Sequence, residues 1–342
     1  MTLTNDDHAL TVTTPNDTDI VLRRVFDAPR RLVFDALTRP ELIRRWHGPR
    51  TWTLVVCEVD LRVGGAWRFV SRGPDGTEMG MGGVYRAIEA PDRLVHTEVF
   101  DEWDAVETEV TTVLTEDGGR TTMTVTAHYP SRRVRDGVVD SHMEAGVGES
   151  YEQLAEVLEQ SAIAERYSTV ADQFVARLRA VPDDAWDNPA PCEGWVARDV
   201  VGHLVDWLPA LFFSLWPVEA PAIPPVGDDP VAAWLAVDGA IRGALADPEI
   251  AGAERDTPMG RSTFARTLDM ICTADVLVHT WDLARAAGLD ETLDPVEVHR
   301  VFVGSEPYDE ALRESGHYGP RVPVPDDADE QTKLLAFMGR RP

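Results

Sequence analysis

The segment ADVLVHTWDLA, residues 274–284, sets an acid, an imidazole and a second acid at Asp275, His279 and Asp282. On a helix these positions, i, i+4 and i+7, share one face, among neighbours that are nearly all apolar. A second stretch, WVARDVVGHLVDWL at 195–208, carries His203 among Val200, Val201, Leu204 and Val205. Burying such groups unpaired costs about 2–7 kcal/mol each, so they require a metal ion or a hydrogen-bond network. Two imidazoles and a carboxylate supply three N/O ligands with a fourth position open, the pattern of a catalytic zinc or nickel site. The competing reading is a hydrogen-bonded core pair, because Asp–His pairs at i, i+4 occur on many helices. Asp206 and Asp282 are candidates to accept the other N–H of a ligating imidazole. Arg285 could meet a substrate carboxylate, neutralise Asp282, or complement the helix C-terminus.

Other reactive residues are scattered. Cys57, Cys192 and Cys272 form no CxxC pair, which argues against a disulfide framework or a thiolate zinc site. Cys57 and Cys272 lie in apolar runs and read as core residues, whereas Cys192 sits in a loop, PAPCEGW. His142 and Glu144, in DSHMEAG, are candidates for an acid or base facing an interior, and His96 reads as a solvent-facing or cross-strand residue. The chain contains no GxGxxG, GxxxxGK[ST], GxSxG or HExxH, so nucleotide-dependent and serine-hydrolase chemistry has no support.

The elements that must position these residues change period along the chain. DIVLRRVFDAP alternates as a strand, RRLVFDALTRPELIRRW has helical spacing broken at Pro40, and five β-rich runs follow to about residue 128. Residues 132–161 return to a helical period. A strand, two short helices, antiparallel strands and one long helix describe a curved sheet gripping that last helix, with a cavity between. The alternate set Met79, Met81, Gly83 and Tyr85 puts large soft side chains on one face, and the glycines leave space.

VFDAPRRLVFDALTRPELIRRWHGP, CEVDLRVGGAWRFVSRGPDG and GVYRAIEAPDRLVHTEVF resemble the START-like helix-grip superfamily, in the branch named after the activator of the heat-shock chaperone ATPase. The resemblance spans roughly 18–160 and implies a fold rather than one function, since the superfamily includes lipid carriers, polyketide cyclases and hormone receptors. It places Trp46, Trp67, Phe69, Met81, Tyr85, Trp103 and Met143 near the cavity.

From about 164 almost no strand pattern remains, and helices read at 164–181, 196–215, 229–246, 261–287, 294–314 and near 329–338. This is a helical bundle with proline-rich loops. PCEGWVARDVVGHLVDW, ADVLVHTWDLARAAG and GHYGPRVPVPDDADEQTKLLAFMGRRP resemble, in order, the DinB-like metal-binding bundle of the mycothiol-dependent maleylpyruvate isomerase group. The resemblance implies a divalent metal held by His203, Asp275 and His279, with mycothiol as a co-substrate. The isomerase carries Glu where this chain has the shorter Asp275, and a helix-grip domain stands upstream, so maleylpyruvate is not implied as substrate. The expected organisation is an N-terminal extension at 1–17, a helix-grip domain at 18–162 and an all-α bundle at 163–342.

Composition narrows the partners. A formal charge of −27 over 342 residues repels phosphate backbones and anionic lipid, which argues against nucleic-acid and membrane partners. No apolar run reaches the roughly 20 residues of a membrane span, and no secretory signal is visible, so a cytoplasmic protein is expected. The leading reading is a metal-dependent enzyme that activates a thiol or water, with zinc expected before nickel and an apolar or aromatic small molecule as substrate. The alternative is a small-molecule-binding or polyketide-cyclase-like protein acting through the helix-grip cavity. A chaperone regulator is suggested by the branch name alone. A homodimer is compatible with either.

Overall fold

The computed structural model describes residues 8–101, 106–257, 260–314 and 318–342. It divides into two compact units, Met1–Ala162 and Ile163–Pro342. Among the described residues no helix is long and apolar enough to cross a membrane.

The first unit is a helix-grip fold. Its strands are β1 (Thr11–Thr13), β2 (Asp19–Phe26), β3 (Thr53–Val59), β4 (Ala66–Arg72), β5 (Glu78–Glu89), β6 (Arg93–Phe100), β7 (Thr108–Asp117) and β8 (Arg120–His128). They form one sheet in the order β1-β2-β8-β7-β6-β5-β4-β3, antiparallel throughout. β1 arises from the 1–17 segment and extends the sheet edge beside β2. Pro40 divides α1 (Arg30–Thr38) from α2 (Pro40–Ile43), as its fixed φ and missing N–H dictate. α3 (Arg132–Asp140) then leads into α4 (Met143–Ala180).

Strand register decides which side chains face α4. Leu114 pairs with Met123, and both join Phe26, Tyr151 and Leu154 in one buried cluster, so their side of the sheet is the gripping side. Tyr151, Leu154 and Leu158 recur at helical spacing along α4 to cover it. The pairings His96 with Val110 and Tyr85 with His96 put both residues on that same side. His96 therefore points inward as a cross-strand neighbour of Tyr85 and Val110, not toward solvent.

The second unit begins with the last turns of α4, whose Tyr167, Val170, Phe174 and Leu178 enter a single core. α5 (Ala197–Leu215), α6 (Pro230–Ala246), the short α7 (Pro248–Ala251), α8 (Phe264–Thr267), α9 (Thr273–Ala287), α10 (Pro295–Ser305), α11 (Asp309–Glu314) and α12 (Glu330–Phe337) follow. Asp229, Asp294 and Asp329 cap α6, α10 and α12 by accepting backbone N–H bonds, and Gly288 ends α9 in the left-handed conformation that glycine adopts freely. The span 261–287 is not one helix. β9 (Glu254–Thr257) and β10 (Gly260–Thr263) make a hairpin, and a π-helical turn, Leu268–Cys272, separates α8 from α9.

Gly83 marks the tightest approach within the sheet: a Cβ there would stand 1.7 Å from the Thr97 carbonyl oxygen. Gly83→Ala is expected to destabilise the first unit by about 3 kcal/mol or more. Gly137→Ala, in α3 with open space around it, should be neutral or stabilising by about 0.5–1 kcal/mol. Thermal melts of the two variants check the contrast, and equal effects would contradict the assigned β4–β5–β6 register.

Candidate metal centre

α5 and α9 bring the candidate ligands together. The apolar stripe Val200, Val201, Leu204, Val205 and Leu208 of α5 is fully packed, and His203 stands beside it, half-buried. On α9, His279 is 3% exposed and Asp282 is 0% exposed. His203 Nε2 lies 3.3 Å from Asp275 Oδ2, and His279 Nε2 lies 3.4 Å from Asp275 Oδ1. The two imidazole centroids are 4.9 Å apart. One ligand atom from each of the three residues falls within a 4.8 Å group.

These separations match the spacing of donors around one ion, with the two distances running to different oxygens of Asp275. Charge-assisted N–H···O bonds run about 2.7–2.9 Å. Two donors on one tetrahedral zinc, each at about 2.0–2.1 Å, stand about 3.3 Å apart. His203 and Asp275 keep 33% and 29% of their side-chain surface exposed, so one side of the group is open. The donor set, two nitrogens and one oxygen, suits zinc or nickel.

A surrounding shell fixes the ligands. His279 Nδ1 lies 2.9 Å from Asp282 Oδ2, an arrangement that holds the proton on Nδ1 and directs Nε2 toward Asp275. Arg340 donates to Asp282 at 2.9 Å and to Cys192 Sγ at 3.4 Å. Trp207 donates its indole N–H to Asp275 Oδ2 at 2.9 Å, while Trp195 stacks on His279 with centroids 5.8 Å apart. Burial alone would raise the Asp275 carboxyl, but the His279 and His203 imidazoles outweigh it and hold it well below the usual range. Burial likewise opposes protonation of His279, and Asp275 and Asp282 overcome it, raising that imidazole to about 9.

Cys192, His279 and Asp282 form a second possible group of donors. Burial and the Asp282 carboxylate push the Cys192 thiol up to about 12, and Arg340 already neutralises Asp282. That group is balanced within the protein, whereas the first is open on one side.

Two expected partners are elsewhere. Asp206 is exposed, and Trp207, four residues from His203 and hence on its face, reaches the site instead. Arg285 lies six residues beyond His279, about 120° round the helix. It pairs with Glu291 and covers the Trp281 ring. In the first unit, Trp67 and Tyr85 form one buried cluster with Phe69 and Met81 against it. Trp46 belongs to the main core and Met143 to a separate cluster with Ile20 and Tyr129. Met79, His142 and Glu144 are exposed, and Trp103 lies outside the described residues.

Residues 167–284, which include all three candidate ligands and Asp282, match the family model described as Mycothiol maleylpyruvate isomerase N-terminal domain. Residues 27–159 match that of the Activator of Hsp90 ATPase homolog 1-like protein. The chain thus carries a domain of each kind, a helix-grip domain at 27–159 and an isomerase-type domain at 167–284, each spanning less than half of its length. An uncharacterised protein of Mycobacterium tuberculosis is 31% identical over 172 residues, covering 49% of this chain and 92% of its own length. A solved protein of Rhodobacter sphaeroides is 33% identical, covering 44% of this chain and 97% of that one, with a TM-score of 0.42. A Nitrosomonas europaea protein is 26% identical, covering 44% and 99%, with a TM-score of 0.40. The isomerase-type match ends at 284, so Arg340 comes from beyond it.

The raised His279 gives a signed pH dependence. In the metal-free protein its ion pairs stabilise the fold fully below the unfolded imidazole value of about 6.5, and that contribution is lost as pH rises through about 9. A metal requires the neutral ring, so zinc uptake at pH 7 should release a proton and tighten as pH rises toward 9. Titration calorimetry in two buffers of different ionisation enthalpy measures this, and buffer-independent heats would contradict it.

Proposed function

We propose that the isomerase-type unit is a zinc enzyme that activates a low-molecular-weight thiol of the mycothiol kind for transfer to, or isomerisation of, a small electrophile. The helix-grip unit serves as the binding module for an apolar or aromatic molecule. The observation that carries the first part is the spacing of His203, Asp275 and His279, tetrahedral in scale and open on one side. When bound, a divalent ion supplies Lewis acidity that lowers the pKa of a thiol or water in its free position.

The protein's residues account for the rest. His203, Asp275 and His279 hold the ion, and Asp282 with Arg340 keeps His279 in the ligating tautomer. Trp195 and Trp207 wall the site with flat apolar surface, which limits water around a reacting thiol. Cys192 is retained as a neutral thiol by burial, so the nucleophile in this reading comes from solution.

The test is metal content by elemental mass spectrometry, alongside the rate at which mycothiol is conjugated to an aryl halide. About one zinc per chain, with conjugation reduced by about 100-fold or more in His203→Ala and His279→Ala, supports the reading. Undiminished conjugation in both variants contradicts it.

A further inference from the structure

The helix-grip unit contains two imidazoles that its packing leaves unexplained. His47 follows α2, and His96 lies midway along β6 on the gripping side of the sheet. They border one aromatic wall. The His47 ring is 5.0 Å from Phe69, Phe69 is 4.8 Å from Trp67, and Trp67 meets His96 edge-on at 5.3 Å, with Tyr85 6.2 Å from the same ring. On β5, Gly83 pairs with Trp67 and adds no side chain to that wall.

The Nδ1 atoms of His47 and His96 are both closed off from solvent, and neither has a hydrogen-bond partner on another of the described residues. A buried nitrogen left unpaired is destabilising, and native interiors keep few of them. Leucine or phenylalanine would fill either position without that cost. Burial pushes both imidazoles down to about 4, so near neutral pH each ring is uncharged and offers one N–H and one lone pair. Such rings suit hydroxyl and carbonyl groups rather than a counter-charge.

We propose that this wall binds a planar aromatic molecule with uncharged hydrogen-bonding substituents, such as phenolic hydroxyls or ring carbonyls. His47 and His96 supply the polar contacts, and Trp67, Phe69 and Tyr85 supply the ring contacts. The proposal rests on the reading that the helix-grip unit takes an apolar or aromatic ligand, and it narrows that ligand's chemistry. It also assigns a reason for two destabilising residues: a ligand that pairs with them removes the penalty on binding.

Equilibrium dialysis of the full-length protein with 2-naphthol and with naphthalene tests it. The native chain should bind the naphthol tighter by about tenfold or more, because a site built for a hydroxyl rejects the analogue lacking one. His47→Leu and His96→Leu should each cut that preference to about threefold or less while leaving naphthalene binding little changed. Their melting temperatures should equal or exceed that of the native chain, since an orphaned nitrogen is gone. His47→Phe and His96→Phe keep a planar ring and carry the same test where a leucine variant does not fold. Equal binding of both probes, or a preference that survives in both histidine variants, overturns the polar role and leaves the ligand-binding reading standing. Binding of neither probe overturns both.

Discussion

A carboxylate with no access to water governs the isomerase-type half. Asp282 is 0% exposed, and leaving it charged without compensation is prohibitive. His279 and Arg340 supply the compensation, the first from the same helix and the second from 58 residues further along the chain. The cost of burying Asp282 thus ties the C-terminal segment to α9 and fixes one imidazole proton. With Nδ1 committed to Asp282, Nε2 of His279 is turned toward Asp275, beside the His203 ring. Removing Asp282 disturbs the core charge balance, the ring tautomer and the anchoring of Arg340 together.

How much of this was legible depended on range. Asp275, His279 and Asp282 could be grouped because helical periodicity is local, and the structure keeps all three on one side of α9. His203 joined them through the isomerase resemblance and through its unusual surroundings on α5. Trp207 was within reach of the same argument, since it stands four residues from His203, yet attention to acids favoured Asp206, which faces water. Arg285 failed on angle. Arg340 gave no local sign at all, because its partner is set by chain folding rather than spacing. The hairpin at 254–263 was hidden because its strands, ERDT and GRST, carry no apolar alternation, and the π turn at 268–272 because its apolar spacing suits a continuous helix; a π turn shifts the phase of that spacing just before Asp275.

In the helix-grip half the gripping side of the sheet was readable from alternation for Met81 and Tyr85, whereas Trp67 and Phe69 came from the helix-grip resemblance. His96 was not, because a polar residue in a strand normally marks the wet side. Only the register with Tyr85 and Val110 turns it inward. The two halves therefore share a trait: each places imidazoles where the folding of the chain alone does not call for them. In the isomerase-type half those rings are charge-compensated and paired, whereas in the helix-grip half the two Nδ1 atoms are not.

X-ray absorption spectroscopy of the zinc-loaded full chain tests the central claim most directly, since His279 is shared between two donor groups and only one contains sulfur. Coordination by His203, Asp275 and His279 predicts a first shell of nitrogen and oxygen alone at about 2.0–2.1 Å with the multiple-scattering pattern of two imidazoles. A sulfur scatterer at about 2.3 Å would place the ion on Cys192 and Asp282 instead, and would contradict the account.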